Sequence, residues 1–303
     1  MQITAAQVSQ LRERTGAGMM DCKKALTENG GDFDKAIEYL RKKGIASASK
    51  KAGRTAKEGK VSALTDTANK AVVLAEINCE TDFVANNDNF EKIVSNIVHH
   101  IAKANPADTT ALLAQKFTAD PSKTVEEYVK ESIATLGENI NVRRFTRYEI
   151  TPTKVVKTYI HMGGKVGVMV EVSITNAEKV SHAAFETYLA DLAMHIAAAG
   201  PLYLHAGEVP AETVAKEKEI ALAQLQGQNK PADVLEKIAS GKINKYFEET
   251  CLVKQKFVKD DKKTLEQLTG ETGKLMGETI TITRFARYVL GEGVEVVAEE
   301  TQH

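Results

Sequence analysis

Tryptophan is absent from this chain of 303 residues, and aromatic residues make up only 6% of it. Proteins that bind single-stranded nucleic acid stack its bases on aromatic side chains, so such a platform has little material here. Charge of one sign is not in excess either, since 40 basic side chains face 41 acidic ones. Phosphate binding requires a clear positive excess, so this balance argues against a protein that coats nucleic acid.

Cysteine is scarce and scattered, at Cys22, Cys79 and Cys251, and no CxxC pair occurs. An odd number of isolated cysteines disfavours a disulfide framework or a zinc site and favours a reducing cytoplasm. No apolar run approaches the ~20 residues that cross a bilayer. The start of the chain lacks the basic and apolar regions of a signal peptide, so we expect a cytoplasmic protein.

Motifs of the common enzyme classes are missing as well. There is no GxxxxGK[ST], GxGxxG, HExxH or GxSxG sequence, and no carboxylate pair stands in a context typical of acid–base catalysis. Gly163–Gly167 is rich in glycine, but it precedes a predicted strand rather than a helix, so a hairpin turn is the better interpretation. We expect a binding protein with no catalytic residue, no metal site and no cofactor.

The first 45 or so residues predict three short helices. Thr4 and Asp32 are typical caps for the first and third helices, Met20 belongs to the buried side of the second, and Gly44 ends the third. The following segment, 46–54, is small, polar and basic. It predicts a linker or a frayed helix, although its cations could instead meet RNA.

An internal repeat organises the rest of the chain. An offset of 95 residues, and then of 140 residues beyond Pro201, aligns the chain with itself. The aligned pairs include Glu76 with Glu171, His100 with His195, Gly137 with Gly277 and Glu138 with Glu278. The change of offset corresponds to an insertion of 45 residues. Its pattern predicts a helical hairpin, which could serve as a contact arm or a dimerisation surface.

We therefore predict an α+β fold with an N-terminal helical module, two repeated core subdomains and a helical-hairpin insertion. The predicted boundaries are 1–55 for the N-terminal domain and linker, 56–150 for the first core subdomain, 151–205 with 250–290 for the second, 206–249 for the hairpin and 291–303 for a short tail. Positions shared by both copies are interpreted as fold positions, so the paired histidines are expected to be structural rather than metal ligands.

The stretch Cys79–Asn87 lies between a predicted strand and a predicted amphipathic helix. It places an acid, Asp82, and an aromatic residue, Phe83, together in a turn. Such a phenylalanine either folds inward as a helix staple or is offered to a partner. In the second copy Ala177 and Glu178 take the places of Asp82 and Phe83. The turn therefore does not need them, which favours the outward position.

Two long motifs, Arg14–Leu26 and Thr81–Ala85, resemble signatures of a known family. The first is similar to the N-terminal signature of the bacterial elongation factor Ts family, and the second is similar to its central motif. Gly137–Ile140, Met194–Ala197 and Gly291–Gly293 are also similar, so the resemblance covers nearly the whole chain. It implies a ubiquitin-associated-like (UBA-like) N-terminal domain, a core of two related subdomains and a helical hairpin.

The resemblance also implies a nucleotide exchange factor that does no covalent chemistry and releases GDP from elongation factor Tu. In the family, the Asp-Phe tip enters the nucleotide domain of the partner beside its magnesium ion. The residues implied to dislocate that ion are Thr81, Asp82, Phe83 and Val84. The other implied partner contacts are Met19, Met20, Leu136, Gly137 and His161. One of the two methionines could instead fill the core of the helical module.

An alternative function is an RNA- or ribosome-binding adaptor without exchange activity. It would use the lysines of the linker, Arg143, Arg144 and the helical arm. The two arginines also fit the polar face of a strand, because they alternate with apolar residues. The resemblance implies elongation factor Tu, GDP-bound or nucleotide-free, as the partner. We expect no membrane and no direct nucleic acid, and a homodimer through the hairpin is a further option.

Overall fold

The computed structural model describes residues 3–225 and 231–294 and shows an α+β fold. The chain divides into two compact units. The first unit holds the chain up to Arg147, Met162–Val166 and the chain from Tyr288 onward. The second unit holds Tyr148–His161 and Gly167–Arg287. Within the described residues, none of the helices combines the length and hydrophobicity that a bilayer span requires.

Three helices open the first unit. They are α1 (Ala5–Thr15), α2 (Met19–Glu28) and α3 (Phe33–Lys51). As predicted, Thr4 caps α1 with a capping box and Asp32 caps α3. The buried side chains that these helices share are Val8, Leu11, Cys22, Ala25, Leu26 and Ala36. The prediction that Met20 lies on the buried side of α2 is wrong, because its side chain is 74% exposed.

The predicted end of α3 at Gly44 is also wrong. The helix continues to Lys51 and therefore includes most of segment 46–54, which agrees with the helical interpretation of that segment and not with the linker interpretation. Gly44 is buried inside the helix, where a Cβ atom would lie 3.0 Å from the Cβ of Ala134 in α7 (Val125–Leu136). The glycine thus allows two helices to approach closely. The local sequence alone does not distinguish such a glycine from one that ends a helix.

A three-stranded sheet lies in the first unit, with the strand order β1-β2-β3. Its strands are β1 (Glu58–Asp66), β2 (Ala71–Cys79) and β3 (Asn141–Glu149). The first two form an antiparallel hairpin, with Glu58 opposite Cys79, as the apolar segments 61–64 and 71–77 on either side of residues 66–70 predict. The helices between β2 and β3 are α4 (Asp82–Ala85), α5 (Asp88–Ala104), α6 (Thr109–Ala114) and α7. One apolar face of α5 packs against β2 in the core of this unit.

A second three-stranded sheet has the order β4-β5-β8. Its strands are β4 (Lys154–His161), β5 (Val166–Ile174) and β8 (Ile280–Val289). Gly163 and Gly164 lie in the short turn between β4 and β5, as the hairpin interpretation predicts. Between β5 and β8 the chain forms α8 (Ala183–Ala199), α9 (Ala211–Ala223), α10 (Ala232–Thr250), β6 (Lys256–Phe257), β7 (Asp260–Thr264) and α11 (Leu265–Met276). In both sheets, the strand that returns after the helices pairs with the second strand.

Helices α9 and α10 pack against each other within the second unit. Two small side chains, Ala221 and Ala239, are buried in this pair, so the helix backbones can approach closely. The turn predicted at 227–231 falls almost entirely on residues 226–230, which lie outside the described residues. The same holds for residues 295–303 of the predicted tail.

Candidate functional site

The turn that carries Phe83 is a single helical turn, α4, which directly follows the buried strand β2. Thr81 has extended backbone geometry and caps this turn, because its Oγ1 accepts a hydrogen bond from the N–H of Val84 at 3.3 Å. Ala85 is buried and Val84 is half-buried, so the inner side of the turn faces the core. Asn87 then caps α5, which fixes the other end of the turn.

The outer side of the turn presents Asp82 and Phe83 to solvent. The Phe83 ring is 85% exposed, whereas the ring of Phe90, seven residues later, is fully buried. The carboxylate of Asp82 is exposed, and in the described part of the chain it has no hydrogen-bond or ion-pair partner. A large apolar ring and a charge are therefore both free to contact another molecule.

Glu138 joins the base of this turn to the loop that follows α7. Its Oε2 accepts hydrogen bonds from the N–H groups of Glu80 and Thr81, both at 3.0 Å. The Thr81 hydroxyl donates to the Glu138 Oε1 at 2.6 Å. In return, the Glu80 Oε1 accepts a bond from the N–H of Asn139 at 2.6 Å. The two loops thus satisfy each other's backbone donors.

Cys79 lies beneath the turn and is buried. Its Sγ–H donates to the carbonyl oxygen of Thr81 at 3.2 Å. Burial, assisted by the nearby negative charge of Glu138, raises the pKa of the Cys79 thiol to about 12. The side chain is therefore a neutral packing residue rather than a nucleophile.

The structure brings some of the predicted partner contacts next to this turn. Leu136 is half-buried and Gly137 is exposed, and both directly precede Glu138. Gly137 ends α7 in the left-handed region, with φ 84°, and its carbonyl oxygen accepts a bond from the Lys51 Nζ at 2.6 Å. Lys51 is the last residue of α3, so this loop is also tied to the helical module.

The remaining predicted contacts, Met19, Met20 and His161, are also exposed. Met19 and Met20 lie at the start of α2, where they are 58% and 74% exposed. His161 belongs to the second unit, at the end of β4. It is exposed, and its Nδ1 lies 3.0 Å from the Tyr159 hydroxyl.

The corresponding turn of the second unit carries no aromatic side chain. Ala177–Lys179 forms a 3₁₀ turn capped by Asn176. Glu278 accepts bonds from the Thr175 hydroxyl and from the N–H of Asn176, as Glu138 does for its own turn. This turn is therefore built by similar contacts but presents Glu178 in place of Phe83.

The histidines predicted to be structural are fully buried and bonded to glutamines. The His100 Nε2 lies 2.9 Å from the Gln115 Oε1, and the His195 Nε2 lies 3.0 Å from the Gln255 Oε1. Burial lowers the pKa of both imidazoles. Among the described residues, no group of three or more His, Cys, Asp or Glu side chains could hold a metal ion.

Arg143 and Arg144, which the alternative function requires for RNA, both pair with a buried carboxylate. The Glu76 side chain is fully buried and accepts bonds from Arg143 at 2.9 Å and from Arg144 at 2.6 Å. Burial by itself raises the pKa of Glu76, but the Gly291 N–H and the two guanidinium groups outweigh it and hold the pKa below its usual value. These arginines therefore stabilise the sheet from within the first unit.

Reasoning from the sequence did not find the role of Glu138. The only signal was the recurrence of Gly-Glu at 137–138 and 277–278, which the repeat had shown without indicating what the carboxylate contacts. Glu138 lies 57 positions from Thr81 and 58 positions from Glu80 in the chain. Local residue spacing cannot predict contacts over such separations.

Comparisons with known proteins give a consistent result. The family model described as Elongation factor TS matches residues 80–292. The chain is 48% identical over 295 residues to the elongation factor Ts of Trichlorobacter lovleyi, covering 97% of this chain and 94% of that protein. It is 50% identical over 300 residues to that of Nitratiruptor sp., covering 99% and 97%, respectively. It is 45% identical over 294 residues to that of Symbiobacterium thermophilum, covering 97% and 94%.

Proposed function

The chain belongs to the elongation factor Ts family of translation elongation factors, and we propose that it binds GDP-loaded elongation factor Tu and promotes release of the GDP. The emptied partner can then take up GTP. This activity makes and breaks no covalent bond. The chain would therefore act as a nucleotide exchange factor and not as an enzyme that catalyses a covalent reaction. It acts in the cytoplasm, where translation takes place.

The observation that carries this proposal is the exposure of Phe83 at the end of a turn held by Thr81 and Glu138. An aromatic ring that is 85% exposed buries a large apolar area when it enters a pocket of a partner, and such rings are frequent anchors of protein interfaces. The neighbouring Asp82 supplies a charge at the same tip. Together they form a compact wedge with one apolar and one ionic element.

In the proposed mechanism the tip enters the nucleotide domain of elongation factor Tu beside its magnesium ion. Phe83 separates side chains there, and Asp82 helps to displace the helix that bears them. Magnesium bridges the nucleotide phosphates to the protein, so loss of its ligands weakens GDP binding. Because binding free energies are reciprocal, GDP weakens binding of the factor by the same ratio.

The energies show that Phe83 does not act alone. A ~10⁴-fold acceleration of release corresponds to a barrier lowered by about 5.5 kcal/mol. Truncation of one buried aromatic anchor typically costs ~2–4 kcal/mol. The other contacts that we propose are Thr81 and Val84 in the same turn, Leu136 and Gly137 in the adjacent loop, Met19 and Met20 on α2, and His161 on β4. The flexible thioethers of the two methionines suit a docking surface.

We also propose the finer architecture that the family resemblance implies. Helices α1–α3 form a UBA-like domain, the two sheets with their helices are copies of one subdomain, and α9 with α10 is an inserted hairpin. The same strand order in both sheets and the matching pairs of His100 with Gln115 and His195 with Gln255 support the repeat. Self-association through the hairpin is a further proposal, which sedimentation of the purified chain tests.

The decisive experiment follows release of a fluorescent GDP analogue from elongation factor Tu with and without this chain. We expect strong acceleration by the wild-type chain and a reduction of at least about tenfold for Phe83→Ala, equal to a loss of about 1.4 kcal/mol at the transition state. An unchanged release rate with Phe83→Ala would refute the wedge mechanism.

The RNA-binding alternative is tested with the same preparation. A gel-shift titration against tRNA at several salt concentrations should detect no specific complex. Tight binding that weakens steeply with salt and is indifferent to Phe83→Ala would instead support an adaptor that neutralises phosphates. The bonds of Arg143 and Arg144 to Glu76 leave that adaptor with fewer free cations than the sequence indicated.

A further inference from the structure

The turn that carries Phe83 is too short to hold its own position. It comprises four helical residues, and an isolated helical turn of that length is unstable in water. A side chain that displaces groups in another protein must be held rigidly, because a mobile turn would itself move and leave those groups in place. Misplacement of an acting group by about 1 Å can cost a hundredfold in rate. The rigidity of this turn must therefore come from outside it.

The contacts of Glu138 supply that support. One carboxylate receives two backbone N–H groups and one hydroxyl from Glu80 and Thr81, the residues immediately before the turn. Hydrogen bonds to a charged acceptor are stronger than those between neutral groups. The hydroxyl that Glu138 orients is also the cap of the turn, so the same carboxylate fixes both the position of the turn and its first hydrogen bond.

Glu138 also lies in the loop that connects α7 to the end of the helical module. Its neighbour Gly137 is held by Lys51 at the end of α3. On its other side, the Asn139 side chain donates to the carbonyl oxygen of Arg54 at 2.8 Å. These bonds connect the base of the Phe83 turn, through Glu138 and its neighbours, to α7 and to the end of the helical module.

The second unit provides an internal control for this interpretation. Glu278 makes corresponding bonds to Thr175 and Asn176 and in addition an ion pair with Lys179 at 3.1 Å. The turn it holds carries Glu178 instead of a phenylalanine. If the carboxylate only stabilises the fold, the two positions should be equivalent in every assay.

We propose that Glu138 is a positioning residue for exchange, which holds the Phe83 turn rigid through Glu80 and Thr81 while the ring displaces side chains of the partner. This role rests on the proposed function. Glu138 touches no reacting group itself, and its effect on exchange passes entirely through the turn.

The test compares Glu138→Ala with the matched variant Glu278→Ala. Release of fluorescent GDP from elongation factor Tu is measured over a range of factor concentrations, which separates the maximal release rate from the half-saturating concentration. Thermal unfolding is recorded for each variant, and amide hydrogen exchange is measured for residues 80–86 and 175–181. Glu138→Gln serves as the conservative variant, since it keeps one carbonyl oxygen for the two N–H groups but loses the charge.

We expect Glu138→Ala to lower the maximal release rate about tenfold, or about 1.4 kcal/mol, with a smaller change in the half-saturating concentration. Its hydrogen exchange should rise in residues 80–86. Glu278→Ala should lose a similar amount of thermal stability and gain exchange in residues 175–181, while keeping its maximal rate within about twofold. The maximal release rate of Glu138→Gln should lie between those of wild type and Glu138→Ala. If the alanine variant does not fold, Glu138→Gln is compared with wild type instead.

The outcomes separate this role from the function on which it rests. A wild-type chain that does not accelerate GDP release overturns the proposed function, and the role of Glu138 with it. An active wild-type chain with Glu138 variants of equal maximal rate overturns only the positioning role. Equal losses of maximal rate in Glu138→Ala and Glu278→Ala would show that the carboxylate acts through stability alone, which also overturns it.

Discussion

The buried carboxylate of Glu76 offers the sharpest test of what stabilises the first unit. Its side chain is fully buried in the central strand β2 and receives bonds from Arg143, Arg144 and the N–H of Gly291. Glu76→Gln keeps the shape and removes the charge. Loss of one partner from a buried ion pair typically costs 3–5 kcal/mol, and we expect about 3 kcal/mol here. The lower figure applies because the arginine side chains are 22% and 31% exposed and can be partly rehydrated.

The assay should report on each unit separately, because a chain with two units need not unfold in one step. Amide hydrogen exchange in β2 reports on the first unit and exchange in β5 on the second. A loss of about 3 kcal/mol should accelerate exchange in β2 roughly a hundredfold, since 1.4 kcal/mol is a factor of ten. Exchange in β5 should not change.

Glu171 is the matched control in the second sheet. Its carboxylate is also buried, but its main partner, Arg284 at 2.6 Å, is 48% exposed, so that guanidinium stays hydrated when the carboxylate charge is removed. Glu171→Gln should cost only about 1 kcal/mol and should accelerate exchange in β5 about fivefold. Equal exchange of β2 in wild type and Glu76→Gln, or an equal rise in β2 and β5, would refute this account.

The effect of Glu76 should also depend on pH in a defined direction. Its folded-state pKa lies below its ordinary value of 4.5, so the carboxylate stabilises the folded state fully above that pH. This stabilisation is lost as the pH falls through the folded-state pKa. The difference in exchange between wild type and Glu76→Gln should therefore persist at neutral pH and narrow only below about pH 4.

Three further predictions concern stability. Phe83→Ala should leave the free energy of unfolding within about 0.5 kcal/mol of wild type, whereas Phe90→Ala should cost about 3–5 kcal/mol in urea unfolding; similar losses would mean that Phe83 is packed. Gly291→Ala should destabilise the first unit by about 1–3 kcal/mol, because φ is +71° and a Cβ would lie 2.6 Å from the backbone oxygen of Lys57; unchanged exchange in β2 would contradict this. Burial lowers the pKa of His100 in the folded state, so the unfolded chain binds the imidazole proton at a higher pH than the folded chain does. The free energy of unfolding should therefore fall as the pH drops below about 6.5. His100→Gln should make this free energy depend less on pH, and an unaltered dependence would refute the prediction.

Local features of the fold could be predicted from the sequence because short-range contacts determine them. The caps at Thr4 and Asp32 depend on residues two or three positions away. The β1–β2 hairpin follows from two apolar segments, 61–64 and 71–77, on either side of a turn at 66–70. The outward position expected for Phe83 came from comparison with the second copy, in which Glu178 stands at the same place. In each case the information lies in nearby residues or in the repeat.

The errors have a different physical origin. The sequence pattern predicts a helix end at Gly44, but the missing side chain makes room for the Cβ of Ala134, 90 positions later, where α3 packs against α7. The sequence pattern assigns Met20 to the core together with Ala25 and Leu26, but α2 buries Cys22 with those two residues and leaves Met20 exposed. The sequence shows Glu138 only as one member of the repeated Gly-Glu pair. Tertiary contacts decide all three, and periodicity does not encode them.

The exposure of the Phe83 ring has a kinetic consequence for the free chain. Because the ring is already exposed to solvent on a turn held by Glu138, no rearrangement of this chain has to precede its entry into a partner. Encounter rates should then rise in proportion to concentration, without the plateau that a slow opening step would impose. Water around the Phe83 benzyl group is released only when the ring enters the partner. The hydrophobic free energy of burying the ring therefore stabilises the complex and not the free chain.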